Sequence, residues 1–120
     1  MAVSRPEARK IPLVFYRTAA GGDPVRDWLK GLAEDARQVV GQDLMRAQWR
    51  WPVGMPLCRA LGQGLWEVRS DLPDHRISRV LFCAHEGALV AVHGFIKKRQ
   101  KTPAEDLRLA RKRMKEVTGS

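Results

Sequence analysis

Apolar residues change their spacing three times along the chain, and each change predicts a change of structure. Ile11 to Tyr16 gathers β-branched and aromatic residues into a short run closed by Ala20-Gly21-Gly22, which reads as a strand and its turn. Asp23-Pro24 then opens a helix: the Asp carboxylate can accept from orphan amides, and Pro at the first helical position has no amide to lose. Val25, Trp28, Leu29 and Leu32 follow at i, i+3, i+4 and i+7, on one face. A second helix is predicted from Glu34 to Arg50, with Ala36, Val39, Val40, Leu44 and Ala47 as its stripe. Glu34 and Asp35 suit its positive end, and Pro52 and Gly54 forbid its continuation.

From Leu57 onward the period shortens. Leu57–Leu61 and Leu65–Arg69 read as strands around a Gly62-Gln63-Gly64 turn, with Trp66 and Val68 on one side and Leu65, Glu67 and Arg69 on the other. After a polar turn at Asp71–His75, Arg79–Ala84 and Ala88–Ile96 form a second hairpin across His85-Glu86-Gly87. Thr102-Pro103-Ala104-Glu105 has the form of a capping box and starts a closing helix, with Leu107, Ala110, Met114 and Val117 as a narrow apolar stripe. The expected fold is α+β: a small antiparallel sheet of four to five strands, an N-terminal helical hairpin on one face and a C-terminal helix. Helices are expected to cover one face and leave the other partly open. The domain is placed at residues 11–118, after a loose basic arm over residues 1–10.

Charge narrows the function more than composition does. Against 13 Asp+Glu stand 22 Lys+Arg, a net +9 on 120 residues, which favours polyanions or an acidic partner. No apolar run approaches the roughly 20 residues of a membrane span, and no apolar stretch follows the basic start as a secretion signal requires. The expectation is a cytoplasmic protein with no membrane association. Cys58 and Cys83 make no CxxC pair and read as small buried hydrophobes. His75, His85 and His93 lack metal-ligand spacing, and the carboxylates are scattered singly, so neither a metal nor another cofactor is expected.

What the chain offers instead is cations on strands: Arg69, Arg76, Arg79, then Lys97 and Lys98. If the hairpins pair as read, Arg69, Arg79 and the Lys97 region converge over one patch. Such a cluster grips a phosphodiester and stabilises charge that develops on it. With RNA, the neighbouring 2′-hydroxyl can attack the phosphorus without a metal, given a proton acceptor and a donor. Each residue also has a plainer reading. Arg69 and Glu67 fit a solvated face with a cross-strand ion pair, Arg76 a surface turn, and Arg79 a buried pair. His93 fits a satisfied core histidine, and Trp49 and Trp51 fit packing beside the helix stripe. Lys97 to Lys101 fits a solvated strand end, and the basic final helix is either a phosphate-binding face or a soluble one.

Four segments carry a resemblance. Asp23-Pro24-Val25-Arg26-Asp27-Trp28-Leu29, Leu65-Trp66-Glu67-Val68-Arg69, Arg79-Val80-Leu81-Phe82, and His93-Gly94-Phe95-Ile96-Lys97-Lys98 through Gln100-Lys101-Thr102-Pro103 resemble the HigB-like, phage-derived branch of the RelE/ParE toxin superfamily. The resemblance covers about residues 12 to 117. It implies a type II toxin that enters the ribosomal A site and cleaves mRNA there without metal. On that likeness Arg69 and Arg79 contact the phosphate, and Lys97 and Lys98 lie near the scissile group. Arg76, Arg99, Lys101, Arg111 and Lys112 are the further RNA-binding candidates. Proton transfer in such proteins often falls to a tyrosine or histidine near the C-terminal end. The single tyrosine here is Tyr16, so His93 or Lys97 takes its place. The implied partners are the 70S ribosome with its mRNA and a HigA-like helix-turn-helix antitoxin, with operator DNA reached only through the antitoxin complex. Two other readings stay open: a gyrase-inhibiting toxin of the ParE type, and a non-catalytic basic nucleic-acid-binding module.

Overall fold

The computed structural model describes residues 10–97 and 102–119. Along them run β1 (Leu13–Phe15), α1 (Pro24–Lys30), α2 (Glu34–Arg50), β2 (Cys58–Gly62), β3 (Leu65–Asp71), β4 (Ile77–His85), β5 (Ala88–Lys97) and α3 (Ala104–Thr118). The strands form one sheet in the order β1-β5-β4-β3-β2. From β2 to β5 the neighbours are antiparallel, joined at β2–β3 and β4–β5 by the glycine turns and at β3–β4 by the polar turn expected near Asp71–His75. At the first of these, Gly62, Gln63 and Gly64 all take positive φ (95°, 54° and 85°), and glycine carries two of the three at no steric cost. β1 departs from the expectation of an antiparallel sheet. It lies parallel to β5, Leu13 to Phe15 beside Leu89 to Ala91, so the sheet is mixed. A hairpin turn would force antiparallel pairing, whereas the chain leaves β1 through the long α1–α2 excursion, which permits the parallel direction.

Strand alternation sorts the apolar side chains into two cores. On one face α1 and α2 bring Val25, Ala36, Val40, Leu44 and Ala47 onto Val68, Val80, Phe82 and Ala91. Trp51 closes that side, edge-on to Trp66 at 5.0 Å and to Phe82 at 5.2 Å. On the other face Leu65, Leu81, Cys83, Val92 and Phe95 meet Ala110, with Leu107, Met114 and Val117 packed around it. Helices therefore cover both faces, where one was expected. β4 and β5 are apolar on both sides, and an uncovered second face would leave Leu81 and Val92 in water.

Two local expectations also change. Asp23 sits at the N-cap of α1 but makes no side-chain capping bond; its backbone carbonyl accepts from the Asp27 amide instead. Trp49, read as a packing residue, is 51% exposed. It lies about 200° around the helix from Ala47, at 100° per residue, and so faces away from the sheet. Cys58 and Cys83 are both buried, as read, and belong to the cores on opposite faces. Among the described residues no helix is long and apolar enough to cross a membrane.

Candidate nucleic-acid cleft

Pairing register decides which cations meet. Arg69 stands opposite Arg79, and Arg79 opposite Phe95. One rung further along, Asp71 stands opposite Ile77 and Ile77 opposite Lys97. Because side chains alternate along each strand, Glu67, Arg69, Asp71, Arg79 and Lys97 all belong to the α3-side face. The convergence of Arg69 with Arg79 over one patch follows directly from antiparallel pairing. Lys97 shares their face at the end of β5, two strands from Asp71, which is roughly 10 Å at the usual inter-strand spacing.

The centre of this patch is an ion pair. Arg79 Nη1 donates to Glu67 Oε1 at 2.7 Å, and both side chains are 1% exposed. Arg59 on β2 brings its Nη1 to 3.9 Å from the same oxygen. Thr102 Oγ1 donates to Glu67 Oε2 at 3.1 Å, so both carboxylate oxygens are engaged. This overturns the capping-box reading of Thr102: α3 begins at Ala104 with Pro103 at its N-cap, and no side chain caps it. The amides of a helix end can bond water, but a buried carboxylate oxygen cannot, and the hydroxyl goes where the cost of an empty bond is greater.

A cleft of about 310 Å³ opens beside the pair, lined by Met55, Pro56, Arg59, Glu67, Arg69, Asp71 and Arg79. Arg69 is more open than Arg79, and its Nε lies 3.7 Å from Asp71 Oδ1 at the rim. Three guanidinium groups against two carboxylates, on a concave wall, make a site of net positive charge that suits a phosphate group. Arg59 and Glu67 were not among the residues singled out for chemistry in the sequence. Arg59 becomes visible only when β2 is set beside β3, since it is the direct partner of Glu67. A signal for Glu67 did exist: it alternates with Leu65, a core residue of the same face, so burial was readable from parity.

Several other candidates lie elsewhere. His93 Nε2–H donates to Asp106 Oδ1 at 2.6 Å, and its ring lies 5.5 Å from that of Phe95. The bond ties β5 to α3, the arrangement of a satisfied core histidine. Arg76 pairs with Asp74 inside its own turn at 2.7 Å, and the Arg76 guanidinium's hydrogen bond holds the Asp74 carboxyl below its ordinary range. Arg111 donates to the carbonyls of Leu61 and Gly62, fastening α3 to the β2–β3 turn. Lys112 is exposed on α3. Tyr16 Oη donates to Glu116 beneath the Arg113 guanidinium, in a contact between the end of β1 and α3. Lys98, Arg99 and Lys101 lie outside the described residues, as do residues 1–9 of the basic arm. Among the described residues no three His, Cys, Asp or Glu side chains gather as a metal site.

Comparison with known proteins gives one informative result. No curated protein matches the chain. A family model described as Phage derived protein Gp49-like (DUF891) matches residues 27–115, from within α1 to near the end of α3. That span contains every residue lining the cleft, and well over half of the chain. The chain therefore belongs to the phage-derived Gp49-like family, a family of RelE-like toxins, which implies an antitoxin partner.

Proposed function

We propose that this protein is a ribosome-dependent endoribonuclease that cuts mRNA without a metal ion and so arrests translation. The observation that carries the reading is the meeting of Arg59, Arg69 and Arg79 in one cleft, with Lys97 on the same face. In this reading the 2′-oxygen attacks the adjacent phosphorus and expels the 5′-oxygen, leaving a 2′,3′-cyclic phosphate. Arg69 and Arg79 neutralise the extra charge on the phosphoryl oxygens as the new bond forms. Solvent takes the 2′-hydroxyl proton, the buried Glu67 holds the Arg79 guanidinium in place, and the Lys97 ammonium protonates the departing oxygen. His93, the other sequence candidate for proton transfer, is engaged with Asp106 on α3. The partner that silences the toxin is a HigA-like antitoxin, whose acidic groups would cover the cleft.

The test is primer extension on cellular mRNA after induction, beside Arg69→Ala and Lys97→Ala variants at equal protein level. Codon-phased cuts are expected with wild type, reduced by about 10²-fold or more when Arg69 is lost, the scale of removing one charge-stabilising donor. The cut mRNA should carry 2′,3′-cyclic phosphate ends, the product of attack by the neighbouring 2′-hydroxyl. Intact mRNA accompanied by DNA breaks would turn the reading to gyrase inhibition. That second reading has one observation behind it: neither a histidine nor a tyrosine lines the cleft, as a purely binding site would allow.

A further inference from the structure

The cleft does not end at Arg69. A second groove of about 690 Å³ begins where Met55, Pro56, Arg69 and Asp71 bound the first one, and it runs beneath α2. Its volume lies within the roughly 300–1,000 Å³ typical of small-ligand sites. Val39 of α2 and Val53 of the following loop give it an apolar wall. Arg46 and Arg50, one helical turn apart, stand on its α2 side. Arg46 is steadied by Asp43 at 2.8 Å, while Arg50 has no ion pair among the described residues. Met55, at the junction of the two grooves, is 76% exposed, a large apolar side chain left in water.

We infer that this groove is a subsite for single-stranded RNA flanking the cleavage point, an inference that rests on the ribonuclease reading of the cleft. A nucleotide has one apolar face and one anionic edge, and the groove offers both complements. The base lies against Val39, Val53 and Met55, and the phosphates meet Arg46 and Arg50. Arg69 lines both grooves and so bridges the flanking segment to the linkage being cut. The cations set the strand's position, because phosphate contacts fix register without reading sequence. The apolar wall and Met55 then bear on which base is accommodated next to the cut.

The experiment is fluorescence anisotropy at low salt with the full chain and 2′-O-methyl oligoribonucleotides, which bind but cannot be cut, two and six nucleotides long. Arg46 is an exposed helical residue and Arg50 ends the same helix at the surface. An Arg46→Ala/Arg50→Ala double variant should therefore keep the wild-type circular dichroism. It is expected to bind the six-nucleotide probe on the order of tenfold more weakly, with the dinucleotide unchanged. Its log-affinity against log-salt slope should be shallower by about 1.4, two phosphate contacts at about 0.7 each. Equal affinity and slope for variant and wild type would overturn the inference. Loss of antitoxin binding with unchanged RNA binding would also overturn it, by giving the groove to the protein partner. The two readings fail separately: weakened six-nucleotide binding in the double variant, with no phased cuts by wild type in cells, would keep the groove and reject the nuclease.

Discussion

Replacing Glu67 by alanine would take the paired carboxylate away from the buried Arg79 guanidinium. Removing one partner of a buried pair costs about 3–5 kcal/mol, and urea unfolding of Glu67→Ala should show a loss of that order. The double change Glu67→Leu/Arg79→Met replaces both charges by apolar groups and should unfold close to wild type while abolishing growth arrest. Stability and toxicity would then be separated at one position. Parity alone placed Arg69 and Glu67 on a common face, and the antiparallel register set Arg79 beside Arg69. The partner of each charge was not legible. Arg59 and Thr102 reach Glu67 from β2 and from the segment just before α3, 8 and 35 residues away, and no local pattern encodes such distances. Another pair of sequence features turns out to be one contact. A Cβ added at Gly94 would overlap the Trp28 ring, so the glycine of β5 is the bed on which the indole of α1 lies. Each belongs to a different segment of the sequence, and only the fold shows that they touch.

At the scale of elements, α3 is held by its apolar stripe and by polar ties to two strands, β2 and β5. Arg113 donates to the Val92 carbonyl, Arg111 to Leu61 and Gly62, and His93 bonds Asp106. Asp106→Ala removes the shortest of these and should cost about 1.5–3 kcal/mol, as expected for a hydrogen bond to a charged group. Hydrogen exchange is the sharper check: amides of 107–118 should exchange faster while those of α2 keep their protection. Helix periodicity was the most readable signal. α2 runs over Glu34–Arg50, as its stripe and the following Pro52 predict, because a 17-residue pattern leaves little freedom. Caps were the least readable. The sequences Asp23-Pro24 and Thr102-Pro103-Ala104-Glu105 match capping signatures, yet neither side chain caps its helix. For Thr102 the competing acceptor is Glu67, from a strand that no window around residue 102 contains.

For the molecule as a whole, the two cysteines report on both cores at once. Burial pushes the Cys58 thiol from its ordinary 9 up to about 11, and burial raises Cys83 as well. A thiol whose folded value is raised stays protonated while the unfolded chain's ionises, so unfolding releases a proton in that window. Stability is unaffected below about pH 9 and falls as pH rises toward 11. Denaturant midpoints measured across that range should decline, and Cys58→Ala should flatten the decline after allowing for its smaller side chain. The net +9 was visible from the start, but its focusing was not, because composition carries no direction. The mixed sheet escaped for a similar reason: nothing in Leu13–Phe15 says which strand it will join, or which way round.

The ladder between β2 and β3 continues one step past Cys58, with the Arg69 amide bonding the Leu57 carbonyl. Behind Leu57 the chain turns away from β3, in a turn closed by the Cys58 amide on the Gly54 carbonyl, and there the pairing stops. Both grooves open at that corner, with Met55 and Pro56 as their common doorpost. The mouth thus owes its existence to two strands of unequal reach and to the turn that ends the shorter one. A chain that zipped this seam shut would keep every arginine and lose the doorway between them.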